Sequence, residues 1–359
     1  MLPPHLSNSF GNLLQTSYMP YFATVFTTKM TLSERVVNFI YTNLDVLYRE
    51  YISCPTEYNL AKKRFGDDID TFEEVERNIS ILLANTDPNL DYSIALPPNI
   101  IPVGGLHIKP AKPLPADIEQ IMDEAKDGVI LFSLGTNIKF SLLTSQQKKA
   151  LFTALQKFPQ TVLWKIEVEN PKGLPKNVVV RKWLPQNDIL GHPNTKLFIS
   201  HGGALSTQEA IYHGVPVVTI PFIIDQYISS HRFAAKKFGR HLDHHNLTTE
   251  NVYDTVKDVL ENPIYRNNIQ EASSRYRDQP ETPLERGVFW IEYILRHKSA
   301  KNLVTPARDM PFYKTSNLDV LLVFAIGLFF VYKLILMLIL TTVRFVFGYG
   351  RSATKTKTE

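Results

Sequence analysis

Apolar residues along this chain fall into two rhythms and one unbroken run. Near the start, Val36, Val37, Phe39, Ile40, Leu44 and Leu47 recur at helical spacing. Ahead of them, Thr31-Leu32-Ser33-Glu34 has the form of a capping box, in which a hydroxyl and a carboxylate satisfy the first free amides of a helix. A helix running past Tyr48 is therefore expected. Apolar residues at 79–83 and the turn Val103-Gly104-Gly105 predict short strands. Residues 108–115 carry three prolines and read as an extended linker, a domain boundary.

Beyond the linker the rhythm changes. Val129-Ile130-Leu131-Phe132-Ser133-Leu134 is a short apolar run stopping at Gly135, the pattern of a buried strand that meets a turn. An amphipathic helix is expected at 145–157, then strands at 161–166, 178–180 and 197–200. A helix at 204–213, a buried strand at 215–220 and helices near 248–261 and 284–297 follow. Strands alternating with helices imply a parallel, doubly wound sheet.

The unbroken run is 320–343, in which Lys333 is the one charge. Its 24 residues extend about 36 Å as a helix, enough to cross a hydrocarbon core about 30 Å thick with some tilt. Arg344, Arg351, Lys355 and Lys357 follow it, against Arg308 and Lys314 close before it. Basic residues favour the cytosolic side, which puts the tail in the cytosol and the bulk of the chain in the lumen. Lysines three and five places from the end resemble a dilysine retrieval signal of the endoplasmic reticulum. The sequons Asn78-Ile79-Ser80 and Asn246-Leu247-Thr248 suit a lumenal face.

Composition narrows the function classes. Among 359 residues, 39 basic and 35 acidic side chains leave a net charge of +4, which gives no case for a nucleic-acid partner. The single cysteine, Cys54, excludes an intrachain disulfide and a cysteine-based metal cluster. The opening MLPPHLSNSFGN lacks the basic and apolar stretches of a signal peptide. His241, His244 and His245 with Asp243 match no zinc-ligand spacing and read as a solvated loop. Lys148-Lys149 and Lys236-Lys237 read as exposed helix faces.

In an open parallel sheet, ligands bind beyond the carboxyl ends of the strands. Four features fall there. Ser133-Leu134-Gly135-Thr136 ends one strand, and Trp183-Leu184-Pro185-Gln186 follows another. His201-Gly202-Gly203 opens a helix, and Asp225-Gln226 follows the strand at 215–220. Paired glycines at a helix N-terminus let amides approach an anion, and His201 adds a donor beside a phosphate. Trp183 offers a flat face for a base and Gln186 a hydrogen bond to its edge. Glu209 lies where ribose hydroxyls would reach it, and Asp225-Gln226 suits pyranose hydroxyls.

The run from Trp183 through His192-Pro193, Phe198 to Gly203, Glu209 to Pro216 and Pro221 to Gln226 resembles the signature of the UDP-glycosyltransferases, the UDP-glucuronosyltransferase family. The likeness extends back through Val103-Gly104-Gly105-Leu106-His107 and forward through Asp278-Gln279-Pro280 and Phe289-Trp290 to the basic tail. The resemblance implies an α/β GT-B fold, with a complete Rossmann-like donor domain, a partial N-terminal acceptor domain and a C-terminal transmembrane helix. The expected divisions are 1–106, partial acceptor domain; 107–118, linker; 119–300, donor domain; 301–319, juxtamembrane; 320–343, membrane span; and 344–359, tail.

Carried over by residue, the resemblance implies that Trp183 and Gln186 contact uracil and that His201, Gly202 and Gly203 hold the diphosphate. It assigns Glu209 to the ribose, Asp225 and Gln226 to the sugar, and Ser133 and Gly135 to the phosphate side. It implies an inverting displacement from a UDP-sugar, glucose or glucuronic acid, onto hydroxyls of small lipophilic acceptors. No metal or cofactor beyond the donor is implied. Membrane lipid and a homo- or hetero-oligomer with family members are the remaining expected partners.

The chain departs from the family pattern in three places. It begins after the region that carries the family's catalytic histidine and aspartate, and His5 lies among prolines near the terminus, so no base is assigned. Leu205 and Ile224 stand where a polar and a small residue are common. Two readings stay open here: a transferase, or a non-catalytic membrane-anchored UDP-sugar binder that regulates full-length relatives.

Overall fold

The structure is a computed structural model that describes residues 3–352, apart from 90 and 170. The side chains of residues 5, 224, 346 and 348–352 are not described. The readings placed on the His5 and Ile224 side chains, and on Arg351, Lys355 and Lys357, therefore fall outside the described residues.

Two compact units divide the chain, residues Met1–Thr305 and Pro306–Glu359. The boundary expected at 107–118 lies inside the first unit. That unit opens with helices α1 (Pro4–Ser9), α2 (Leu32–Tyr48), α3 (Cys54–Phe65) and α4 (Phe72–Asn78). Thr31 and Glu34 form the expected capping box, and the chain continues past Tyr48 through a wide turn, Arg49–Ser53, into α3. Strands β1 (Leu82–Ala84) and β2 (Ile100–Pro102) pair in parallel, slightly displaced from the expected positions.

The face that α2 buries is not the apolar one. Val36, Phe39, Ile40 and Leu44 are exposed, whereas Asn38 and Thr42 are buried. Asn38 accounts for this by hydrogen bonding: its Nδ2 donates to the carbonyls of Thr16 and Met19, and its Oδ1 accepts from the Tyr21 amide. A buried amide with all three bonds made holds the preceding loop where an apolar side chain would leave its carbonyls unpaired.

The second part of the unit is a six-stranded parallel sheet. Its strands are β3 (Val129–Ser133), β4 (Thr161–Lys165), β5 (Val178–Arg181), β6 (Thr195–Ser200), β7 (Val217–Thr219) and β8 (Gly239–His241), in the order β5-β4-β3-β6-β7-β8. The helices are α5 (Ala116–Glu124), α6 (Ser145–Leu155), α7 (Gln186–Leu190), α8 (Ala204–His213), α9 (Ile224–Ala235), α10 (Thr249–Glu261), α11 (Pro263–Arg277) and α12 (Pro283–His297). Side chains alternate across each strand, so β3 sends Ile130 and Phe132 to one face and Val129 and Leu131 to the other. α6 and α10 cover the first face; α5, α7, α8, α9 and α11 cover the second. Covering both faces is why β3 reads as an unbroken apolar run. On the first face Phe132 stacks on Trp164 at 4.1 Å, and Phe140 and Phe152 meet Trp164 edge-on.

The two parts of this unit are tied by polar contacts. Asp91 and Arg232 of α9 form a buried ion pair, and Thr86 Oγ1 donates to Asp91 at 2.7 Å. Lys236 departs from the exposed face expected for it: its Nζ donates to the carbonyls of Asn89 and Asp91. Burial, the Arg232 charge adding to it and Asp87 opposing, lowers the Lys236 ammonium pKa to about 8.

The second unit holds α13 (Phe312–Thr315) and α14 (Leu318–Ser352). Within α14, the 28 residues Leu318–Phe345 reach a mean hydropathy of 2.6 over an 18-residue window and are long enough to cross a membrane. It contains the expected 320–343 span, and Lys333 leans over the Phe329 ring at 5.5 Å.

Candidate functional site

After β3 the chain passes to α6 on one face of the sheet; after β6 it passes to α8 on the other. Neighbouring strands whose connections diverge leave a crevice at their carboxyl ends. Ser133 ends β3 there and is buried. Gly135 follows with φ +76°, its amide donating to Ser133 Oγ at 3.3 Å. Across the crevice, Gly202 has φ +85° and its amide donates to Ser200 Oγ at 3.2 Å.

The His201 ring fills the space between two glycines. A Cβ at Gly135 would lie 2.7 Å from His201 Cε1, and one at Gly203 would lie 2.4 Å from Nε2. Gly203 is also the N-cap of α8, with no side chain capping the helix. The first-turn amides of α8 are thus left for another acceptor, with the positive end of the helix dipole behind them. His201 Nδ1 is buried without a hydrogen-bond partner among the described residues. Burial lowers the pKa of this imidazole, while the Asp225 carboxylate raises it and the Lys165 ammonium lowers it further.

Lys165 was not singled out in the sequence. It ends β4, next to β3, and its Nζ donates to the Gly135 carbonyl at 3.3 Å. A legible signal existed: it is the one charge at the carboxyl end of the apolar strand Thr161–Lys165. It brings a cation to the same loop as His201.

A second group of residues comes from the segment after β5. Leu184 is buried and anchors it, while Trp183 beside it is 67% exposed and turns its ring to solvent. Gln186 starts α7, and its Nε2 donates to Glu209 Oε2 at 2.5 Å and Ser206 Oγ at 3.0 Å. The two residues expected to contact base and ribose separately are thus bonded to each other across α7 and α8. Burial raises the pKa of the Glu209 carboxyl, the Gln186 bond opposes this, and Asp188 adds to the rise. Leu205, one turn earlier on α8, is exposed.

Asp225 is exposed at the start of α9. Gln226 is only 2% exposed, and its Oε1 accepts from the amides of Phe222 at 2.8 Å and Ile223 at 3.3 Å. It therefore holds the turn that presents Asp225. Asp225 and Ala204 also line a cavity of about 210 Å³ whose other wall includes Phe22, Asn85 and Asp91. Asp243, His244 and His245 bring ligand-type atoms within 4.8 Å of one another. Local bonds occupy that loop: Asp243 Oδ1 accepts from the His245 amide, and His244 Nδ1 pairs with the Tyr227 hydroxyl at 3.0 Å.

A profile of the family described as UDP-glucoronosyl and UDP-glucosyl transferase matches residues 4–358. A UDP-glycosyltransferase from Dactylopius coccus is 38% identical over 319 residues, covering 89% of this chain and 61% of its own. UDP-glucuronosyltransferase 2B10 from Homo sapiens is 37% identical over 320 residues, covering 88% of this chain and 59% of its own. The chain thus spans about three-fifths of the length of these relatives. Among solved structures, spinosyn forosaminyltransferase aligns with a TM-score of 0.51 at 19% identity, covering 65% of this chain and 59% of that one. That likeness shows the fold, GT-B.

Proposed function

For a chain that belongs to the UDP-glucuronosyl and UDP-glucosyl transferase family, we propose that the crevice between β3 and β6 binds a UDP-sugar for transfer to hydroxyls of small lipophilic acceptors. The observation that carries this is the convergence of the Gly135 loop, His201 and the uncapped start of α8 on one crevice. The diphosphate sits on the α8 amides, with His201 and Lys165 beside it. Trp183 stacks on uracil, Gln186 and Glu209 face the nucleoside, and Asp225 meets the sugar on the turn that Gln226 holds. The reaction is an inverting displacement, in which the helix dipole, the Lys165 ammonium and the His201 ring as a hydrogen-bond donor stabilise the departing UDP.

The apolar helix anchors the chain in the endoplasmic-reticulum membrane, donor side lumenal and tail cytosolic. Arg344 and Arg351, which follow the apolar run 320–343, support that orientation, as do the exposed sequon residues Asn78 and Asn246.

Calorimetric titration of the detergent-solubilised chain with UDP, UDP-glucose and UDP-glucuronic acid tests the reading. Micromolar binding of UDP and of one sugar nucleotide, unchanged by a chelator, is expected. Failure to bind UDP sinks it.

A further inference from the structure

Glu209 has a second neighbour that comes from outside the β3–α12 region. Its Oε2 accepts from Gln186, whereas its Oε1 faces Nε2 of His107 at 3.7 Å. His107 lies in the strap leading from β2 to α5. Both its ring nitrogens are buried and neither makes a well-formed hydrogen bond among the described residues; the Leu205 backbone is the polar neighbour that offsets part of the lowering of its pKa by burial.

The strap beside His107 is pinned from two sides. The Tyr276 hydroxyl of α11 donates to the Gly104 carbonyl at 2.7 Å, and the Gly105 amide donates to Asn85 Oδ1 at 3.1 Å. Gln208, next to Glu209 on α8, donates to the same Asn85 oxygen at 3.0 Å. Gly105 has φ +84° and leaves no room for a side chain against Tyr276, so the turn cannot drift. The imidazole is therefore held within about 1 Å of hydrogen-bond range of the carboxylate. A buried ring nitrogen left unpaired is costly, and closing on Oε1 pairs Nε2.

We propose that His107 is a positioning residue for Glu209, holding the carboxylate oxygen that Gln186 leaves free so that the pair presents it to the ribose. The proposal rests on the reading of Glu209 as the ribose ligand. It makes recognition of the nucleoside sugar a joint property of α8 and a strap that precedes the donor sheet. Nucleotide binding then also tightens the strap against α8.

The test is calorimetric titration of the full chain with UDP and 2′-deoxy-UDP, alongside His107→Ala, His107→Gln and Glu209→Gln, with melting curves for each. Wild type is expected to prefer UDP about tenfold, and Glu209→Gln to lose that preference. His107→Ala should lose most of it by weaker UDP binding, with 2′-deoxy-UDP affinity unchanged. His107→Gln, which keeps an N–H in reach, should recover part. If His107→Ala retains the full preference, or weakens both nucleotides equally, the positioning role is overturned. If His107→Ala melts early, no partial recovery in His107→Gln overturns it likewise. A wild-type chain that binds both nucleotides equally, or a preference that survives Glu209→Gln, sinks the ribose reading, and the proposal with it.

Discussion

Gly135 stands so close to His201 that a methyl group at its Cα would lie 2.7 Å from the imidazole Cε1. The contact joins the loops after β3 and β6, and it makes the residue at 135 a limit on where the ring sits. Gly135→Ala adds a left-handed backbone strain of about 1–2 kcal/mol and displaces the ring from the crevice. UDP affinity should fall at least tenfold by titration, with a modest loss in melting temperature. Unchanged affinity would mean the ring has no part in anion binding.

Trp183 separates stacking from folding, because its ring is mostly in solvent. Trp183→Ala should leave the melting temperature nearly unchanged and weaken UDP by roughly one to two orders of magnitude, the range of a base–aromatic stack. Trp183→Phe should restore most of the affinity. Equal weakening of inorganic pyrophosphate would place the effect away from the base.

The pair Asp91–Arg232, which lines the cavity shared with Asp225 and Ala204, predicts a large stability effect. Arg232→Met leaves a carboxylate buried without its guanidinium, a change of about 3–5 kcal/mol. Thermal unfolding should show a pronounced drop, and limited proteolysis should cleave near residues 85–92 before the sheet. A melting temperature within a degree of wild type would show the pair to be dispensable.

His213 adds a pH dependence. Its Nε2 donates to Asn187 Oδ1 at 3.0 Å, and Asn187 Nδ2 donates to the Lys109 carbonyl at 3.0 Å. Burial, with the Arg277 charge adding and Asp188 opposing, lowers its pKa from 6.5 to about 4. The unfolded chain therefore takes up this proton first as pH falls. The His213 share of stability should be complete above about pH 6.5 and be lost progressively towards pH 4, levelling below. His213→Gln should show a shallower fall in melting temperature over that window. Matching slopes would count against a buried neutral imidazole.

What was legible in the sequence followed apolar burial and capping chemistry. The strand at β3, the helix at α8 and the cap at Thr31 lie where the residues point. α9 and α11 were not singled out, and their composition explains why. α9 buries Gln226, Ser229, Ser230 and Arg232, and α11 buries only Ile269, Ala272, Ser273 and Tyr276. Polar residues that are buried against another segment's carbonyls or charges look solvated when the partner is far away in sequence. Lys236 and Asn38 were obscured in the same way. Within the site, Trp183, His201 and Glu209 could be placed by strand ends, but the Gln186–Glu209 bond needs the register of α7 against α8, which no local pattern carries.

The bare start of α8 sets a trap for anyone stabilising this chain by design. Serine or aspartate is the usual improvement at such a helix start, and over glycine the gain is only a few tenths of a kcal/mol. At Gly203 the new Cβ would collide with the His201 ring, and its oxygen would occupy the amides that the nucleotide requires. A change that looks like a stabilising cap would therefore set a ring collision against a gain of a few tenths of a kcal/mol and take away the donor site, so any stability design here needs a nucleotide-binding counter-screen.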